Sequence, residues 1–297
     1  MSIKVTEQIQ RPPRNWLRRS RKAETVAWVW LAVVLACALV GPMVVPSSAL
    51  RQDLLARHLE PGLLSGTFDH ALGTDALGRD LLARIVVATR TSIVIGVASL
   101  AGAAIIGSLM GLIAGYARGW VDAAIMRGVD VTASFPGLLL AVVVLYVLGG
   151  GEFAIVIVLA VSRWPVFARL VRAETLRLRD LDYVVAYKSL GYRSWSVLRH
   201  GFVPNMIGVF VALAALNLGQ LILAESSLSF LGLGVQAPDD SWGLIVAQGR
   251  AYVRTAWWVV AFSGSAIFAT ALAIGIVAES VAEAADPLRR REGRRSW

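Results

Sequence analysis

The sequence predicts an all-α integral membrane protein with six membrane-spanning helices. Of its 297 residues, 57% are hydrophobic and only 16% are charged, whereas a soluble domain carries about 25% charged residues. Uncharged stretches of roughly 20 residues recur along the chain, and ~20 residues of helix cross the ~30 Å hydrocarbon core of a bilayer. The basic residues are concentrated in a few connecting segments, which is typical of a protein whose orientation is set by positive charge.

The chain begins with a basic tail, residues 1–25, followed by a first predicted span within residues 26–46. Seven of the first 25 residues are Lys or Arg and the segment also holds Pro12 and Pro13, which predicts a mobile cytoplasmic tail. A cleaved secretory signal is the alternative interpretation. The uncharged run of residues 26–45 exceeds the usual signal core of about 7–15 residues, which favours a retained span.

Residues 47–90 form a predicted extracytoplasmic loop in which five basic and five acidic residues balance. We predict an interfacial helix at its end, capped by Thr74 or Asp75, which leads into the next span. A metal site formed by Asp75 and Asp80 is the less favoured alternative. The apolar residues expected on one face of the interfacial helix are Leu77, Leu81, Leu82 and Ile85.

A five-helix core domain is predicted over residues 91–278. Its first helix, the second span, covers 91–117 and carries small residues at every fourth position, which would allow a neighbouring helix to approach closely. The apolar run 131–162 is too long for one crossing, so we predict a hairpin of two spans that turns at residues 149–151. The small residues expected to pack against a helix are Gly107, Gly111 and Gly115.

The last two spans are predicted at residues 206–224 and 255–278. The second hairpin span is predicted at residues 153–162, and its helix is expected to continue into the cytoplasm through Arg169 and Arg172. The segment 226–254 between the last two spans is too apolar for a free loop and too interrupted by Gly and Pro for a span. We predict a folded re-entrant or interfacial loop that is covered by protein. Residues 279–297 form a second basic tail.

Residues 183–205 form a polar-flanked segment between two apolar runs. Apolar side chains recur at helical spacing on both sides of Gly191, where a helix would end in a turn. We predict two short amphipathic helices joined at this glycine, a shape that suits the groove of another protein. An interfacial helix that contacts only lipid headgroups is the alternative.

The distribution of basic residues predicts that both termini are cytoplasmic. The segments 1–25, 117–125, 163–205 and 279–297 hold 21 of the 29 Lys and Arg residues. The excess on one side sets topology in a bilayer. This sorting by position explains the net charge of +9 better than nucleic-acid binding does.

Several chemistries lack their motifs in this sequence. None of the lysines, Lys4, Lys22 and Lys188, follows a glycine, so the Gly-Lys-Ser/Thr element of a phosphate-binding loop is absent. The three histidines lie far apart and there is one cysteine, so no metal-binding motif is present. Three carboxylates near predicted span ends could relay protons, although solvated or paired structural roles are favoured. They are Asp130, Glu152 and Glu225.

The string His-Ala-Leu-Gly-Thr-Asp-Ala-Leu-Gly-Arg-Asp at residues 70–80 closely resembles a signature of binding-protein-dependent ABC transporter permeases, in their dipeptide and oligopeptide branch. Further matches at 228–234, 241–243 and 286–287 follow in the order expected of the second, C-type permease of peptide importers. The resemblance covers most of the chain. Residues 278–283 depart from the family's usual Gly-Asp-x-Leu-Arg-Asp, and the arginine of that pattern is absent.

The segment 183–205 resembles the cytoplasmic coupling loop of the same family, which docks into an ATPase subunit. Ala186 remains from the usual Glu-Ala-Ala opening, and Gly191 and the His-Pro-Asn end are in place. The residues that the resemblance implies for docking are Tyr183, Ala186, Leu190, Gly191, Trp195, His200 and Pro204.

The resemblance implies the type I ABC importer permease fold and a permease subunit for peptides or a related small solute. It implies a B-type permease, two ABC ATPases and an extracytoplasmic binding protein as partners, in a bacterial or archaeal cytoplasmic membrane. ATP and Mg would be bound by the ATPases, so we expect no cofactor on this chain and no enzymatic activity of its own. The alternatives are an ion-gradient-driven secondary transporter and a membrane scaffold that does not transport.

Overall fold

The computed structural model describes residues 21–66, 70–179 and 203–285, together with 181–182, 184, 187 and 190. Within these residues the regular structure is helical, apart from one isolated β-bridge between Thr74 and Asp80. The α-helices are α1 (Arg21–Val44), α2 (Gly62–Ser65), α3 (Leu81–Ala117), α4 (Gly119–Ser134), α5 (Gly137–Leu148), α6 (Glu152–Arg179), α7 (Val203–Phe230), α8 (Trp242–Gly249) and α9 (Trp257–Ala285). Turns of 3-10 helix lie at Ser47–Leu50, Leu54–Ala56 and Arg250–Tyr252.

The described residues contain five helices that are long and apolar enough to cross a membrane, namely α1, α3, α6, α7 and α9. A sixth span is formed if α4 and α5 are counted together, since both pass the same test as a pair that is bent by 94°. The predicted all-α architecture is therefore confirmed, with five spans, or six if the bent pair is one broken span.

The bend between α4 and α5 follows from Pro136. A proline restricts the residue before it to extended backbone, and Phe135 has φ −81° and ψ 134°. The helix therefore stops at Ser134 and restarts at Gly137 in a new direction. The hairpin between α5 and α6 was predicted at 149–151, and all three glycines there have positive φ, between 78° and 90°, which glycine adopts without steric cost.

Two of the apolar clusters that hold the described helices together contain buried residues of α3. The first joins Leu81 at the start of α3 to Trp242 of α8 and Trp258 of α9. The second joins Ile95 of α3 to Val158 of α6 and Leu228 of α7. α3 also packs along α6, so it is the central helix of the bundle.

The predicted cap before the second span was wrong. α3 begins at Leu81, and the carboxylate of Asp80 caps it by accepting a hydrogen bond from the Ala83 N–H at 2.8 Å. Leu77 precedes the helix because the chain turns at Gly78, where φ is 73°. The interfacial helix and the second span are thus one continuous helix, in which Arg84 and Arg90 lie inside.

The bounds of three other predicted segments also differ. α6 continues beyond the predicted span 153–162, through Pro165 to Arg179, so the expected extension of this helix through Arg169 and Arg172 is confirmed. Residues of the predicted connection 117–125 lie within α4. α7 continues to Phe230, so Glu225 lies inside a helix and is fully buried, not at a boundary. At Glu225 the local charge suggested an end that packing against neighbouring helices overrides.

The predicted loop 226–254 contributes to the core through α8. Ser241 caps α8 by accepting a hydrogen bond from the Leu244 N–H at 3.2 Å. Trp242 is 1% exposed, and its indole N–H donates to the Ile85 carbonyl at 3.1 Å. α8 thereby fixes this segment against the start of α3.

Candidate functional site

Most of the predicted docking residues lie outside the described residues, namely Tyr183, Ala186, Gly191, Trp195 and His200. Leu190 is described, and its side chain is 75% exposed. Pro204 lies in the first turn of α7.

The two helices that flank the predicted docking segment meet at one end of the bundle. Val171 and Leu178 of α6 pack in one buried cluster with Met206 of α7. Val184 belongs to the same cluster and is fully buried, and Tyr187 packs against it. The end of α6 and the start of α7 therefore lie beside each other.

α6 is held against α3 through the three glycines spaced by four. A Cβ atom added at Gly107 would lie 2.5 Å from the Trp164 carbonyl oxygen, and one at Gly111 would lie 2.5 Å from the Ala168 carbonyl oxygen. At Gly115 the nearest atom would be Thr175 Cβ at 2.7 Å. These distances are shorter than any normal contact, so the two backbones approach as closely as glycine alone permits.

Two ion pairs connect α6 to α4 at the same end of the bundle. Arg172 donates from Nε and Nη2 to the two oxygens of Asp122, at 2.5 and 2.6 Å. Arg169 Nη2 lies 3.0 Å from Asp130 Oδ1, and both of these side chains are more than half exposed. The Arg172 pair is bidentate and less exposed, so it is the stronger link between the bent span and α6.

A cavity of about 400 Å³ lies at the bend between α4 and α5. Its walls come from α4, α5, α6 and α7, and they are mostly apolar, with Phe135, Leu138 and Leu228 among them. Arg163 and Arg169 also line it. Arg163 Nη1 donates to the Gln220 side-chain oxygen at 2.6 Å, which links α6 to α7 at the edge of the cavity.

At the other end of the bundle, Arg84 of α3 is surrounded by acceptors. Its side chain is 1% exposed. It donates to Asp75 Oδ2 at 2.7 Å, to the Gln248 side-chain oxygen at 3.0 Å and to both oxygens of Asp240, from Nε to Oδ2 at 3.1 Å. Arg84 thus joins the segment before α3 to the segment before α8.

Asp75 is held in its ionised form by this network. Burial by itself would raise the pKa of its carboxyl, but the charges of Arg84 and Arg79 and the N–H groups of Arg79 and Leu77 outweigh burial and lower that pKa below 3.8. Asp75 and Asp80 therefore have their own partners, and Asp80 also bonds His70 Nδ1 at 3.0 Å. Among the described residues no group of three or more His, Cys, Asp or Glu is placed to hold a metal ion.

Glu225 of α7 is buried among hydroxyl groups. Ser229 Oγ donates to Glu225 Oε1 at 2.8 Å, and Ser226 Oγ lies 3.3 Å from Oε2. Ser241 Oγ in turn lies 3.3 Å from Ser229 Oγ. These contacts connect the end of α7 to the start of α8, which is a structural role for this carboxylate.

Sequence reasoning did not assign roles to four residues that the structure makes prominent, namely Arg84, Asp240, Arg163 and Gln220. The available signal was the presence of charged or amide side chains inside or beside apolar runs, which is costly unless they have partners. That signal identifies such residues but does not identify their partners.

The chain matches known transport proteins over most of its length. Residues 107–291 match the family described as the binding-protein-dependent transport system inner membrane component. The glutathione transport system permease protein GsiD of Pectobacterium atrosepticum is 39% identical over 218 residues, which are 73% of this chain and 72% of that protein. The dipeptide transport system permease protein DppC of Bacillus subtilis is 33% identical over 278 residues, which are 93% of this chain and 85% of that protein.

Among solved structures, the fold is similar to that of the MetNI methionine ABC transporter in an inward-facing conformation. The TM-score is 0.56 at 18% sequence identity, and the match covers 69% of this chain and 96% of the MetNI chain. At that identity the likeness concerns the fold, and the predicted type I importer permease fold is confirmed.

Proposed function

Because the chain belongs to the family of binding-protein-dependent transport system inner membrane components and is a permease component of an ABC importer, we propose that it carries peptides or a related small solute. The observation that carries the proposal is the match to a dipeptide permease over 93% of the chain. The relatives are transport permeases, and this chain is a transport subunit, not an enzyme.

The proposed partners are a B-type permease, two ABC ATPases and an extracytoplasmic binding protein. ATP and Mg would be bound and used by the ATPases. The purified complex in proteoliposomes should take up a dipeptide only when both ATP and the binding protein are present. Uptake that survives ATP depletion but stops when the proton gradient is collapsed would refute this proposal in favour of a secondary transporter.

Docking of the ATPases is proposed at residues 183–205. Two observations support it: the flanking helices α6 and α7 meet in one buried cluster, and Leu190 is exposed. Movement of a bound ATPase would be passed to α6 and α7 directly, and from α6 to α4 through the Arg172–Asp122 ion pair.

The docking role is tested by Gly191→Asp, which adds bulk and charge to the proposed contact. Membrane insertion should be unchanged, while ATPase stimulation by the loaded binding protein should be lost. Gly128→Asp in α4 is the matched control because Gly128 is exposed and a Cβ there would meet no atom of the described residues within 4 Å. Normal coupling in the Gly191 variant would contradict docking at this segment.

Both termini are proposed to be cytoplasmic. Because Cys37 is the single cysteine, a Cys37→Ala background allows cysteines to be placed one at a time. Ser20→Cys should be protected from an impermeant thiol reagent in intact cells. Leu55→Cys, at a position that is 97% exposed, should react. The reverse pattern would require the opposite orientation.

A further inference from the structure

Arg163 lies inside a membrane span. It is 11 residues after Glu152, the first residue of α6, which is ~17 Å along the helix at 1.5 Å per residue, or about half of a ~30 Å hydrocarbon core. α6 passes the length and hydropathy test for a span as one helix over Glu152–Arg179, so Arg163 lies within it and beyond the predicted short span 153–162. Ionisable residues at this depth face a bundle interior or a water-filled cavity and mark the path of a solute or ion.

The partner of Arg163 is a neutral amide. Its hydrogen bond goes to the Gln220 side-chain oxygen at 2.6 Å. Further along α6, Arg169 and Arg172 are paired with Asp130 and Asp122. Within the described parts of the chain, no carboxylate lies within 4.0 Å of the Arg163 guanidinium, so its positive charge is not neutralised by an ion pair.

The space beside Arg163 is suited to a small amphiphilic anion. The cavity has a volume of about 400 Å³, within the ~300–1,000 Å³ range of ligand pockets. Arg169 also lines it but is paired with Asp130, so Arg163 supplies the net positive charge. The remaining wall is largely apolar, with side chains such as Leu138, Leu159 and Leu228.

We propose that Arg163 binds the carboxylate of the transported solute as it passes this cavity, which makes Arg163 a specificity-determining residue of the pathway. The inference rests on the proposed function. A guanidinium presents five N–H donors in a fixed fork that matches a carboxylate, and Gln220 occupies only one Arg163 nitrogen. Because Gln220 is neutral, it holds the side chain in place without competing as a second anion.

A transported solute must also leave the site, and the geometry meets that requirement. The cavity binds the anion through one unpaired cation, while the neighbouring Arg169 is already neutralised. When the solute departs, the Gln220 side-chain oxygen can again accept the hydrogen bond from the Arg163 guanidinium. A carboxylate of the partner permease in the same cavity is the competing occupant, and the substrate comparison below separates the two.

The first test compares alanylalanine with its C-terminal amide in the reconstituted complex at saturating binding protein. Arg163→Gln should slow initial uptake of the free acid about tenfold, the effect of losing one charge-assisted contact, with the amide changed much less. Arg163→Lys should restore part of the rate because the charge remains without the planar fork. Arg127→Gln, on an exposed position of α4, is the matched control and should leave both rates unchanged.

Equal slowing of the acid and the amide by Arg163→Gln would overturn the proposal and indicate pairing with the partner permease. Unchanged rates for both would also overturn it. A second measurement does not depend on the amide: a dipeptide that contains a photoreactive leucine should label α5 or α6 during turnover in the wild type and in Arg127→Gln. Labelling should be lost in Arg163→Gln. Uptake by the wild type tests the proposed function separately, since the role of Arg163 is read only from the variants.

Discussion

Arg84 and Asp240 form a buried ion pair although 156 positions separate them in the sequence, with Arg84 Nε 3.1 Å from Asp240 Oδ2. Arg84 belongs to α3, and Asp240 lies just before α8. The pair fixes the segment between the last two spans to the start of the central helix. The same guanidinium also bonds Asp75, so three stretches of chain are joined at one side chain.

Asp240→Asn should destabilise the protein because it removes a charge partner from a guanidinium that is 1% exposed. Breaking one side of a buried pair typically costs on the order of 3 kcal/mol. The measurement is the apparent Tm of the purified protein in detergent, followed by tryptophan fluorescence. Asp239→Asn is the control, since Asp239 is exposed. If the two variants have the same apparent Tm, the stabilising role of the Arg84–Asp240 pair is contradicted.

Acid should destabilise the wild type through Asp75. Its pKa in the folded protein is lowered below 3.8 by Arg84 and Arg79 despite burial. The stabilisation from this group is therefore fully present above pH 3.8 and is lost as the pH falls from there through the folded pKa, because the unfolded chain then binds the proton more readily. Apparent Tm measured as a function of pH should fall less steeply below 3.8 in Asp75→Asn, whose side chain does not titrate. Parallel curves would exclude Asp75 as the source.

Gly111→Val should separate α3 from α6. A Cβ at Gly111 would lie 2.5 Å from the Ala168 carbonyl oxygen, and backbone cannot move aside as a side chain does, so we expect a loss of about 1–3 kcal/mol or more. Monodisperse yield on size-exclusion chromatography and apparent Tm are the measurements. Gly128→Ala in α4 is the control, because its Cβ would meet no atom of the described residues within 4 Å. An unchanged Gly111 variant would mean that the helices can move apart freely.

The Asp122–Arg172 pair should couple α4 to α6. Asp122→Asn should lower stability, and the exchange of both residues, Asp122→Arg with Arg172→Asp, should recover part of the loss. In a double-mutant cycle, contacting residues typically show a coupling of about 0.5–3 kcal/mol. Because Arg172 is about one-third exposed, solvent screening places the expected value at the lower end of that range. If the effects of Asp122→Arg alone and Arg172→Asp alone simply add up to the effect of the double exchange, a direct interaction is contradicted.

The sequence alone was sufficient for the class of protein, the approximate spans and the hairpin turn. Apolar runs of membrane-crossing length and the glycines at 149–151 are local features of the sequence. The structures that they favour do not depend on contacts with distant residues. The four-residue spacing of Gly107, Gly111 and Gly115 likewise identified a helix face. The helix that packs on this face, α6, could not be read from the spacing.

Helix ends were less predictable because neighbours decide them. Glu225 suggested the end of a span, yet α7 continues to Phe230. Thr74 and Asp75 suggested a cap, yet Asp80 provides it. In both cases the alternative becomes favourable only once the flanking segment is packed and its polar groups have partners.

By itself the sequence determined that this chain is an all-α membrane protein and that it carries family motifs, because hydrophobicity and motif order can be read along the chain without knowledge of its contacts. Only the tertiary structure decided that Arg84 is neutralised by Asp75 and Asp240, while Arg163 faces a cavity with Gln220 as its partner. The physical reason is that a charge is paired or left unpaired by residues distant in sequence, whose approach depends on how the helices pack.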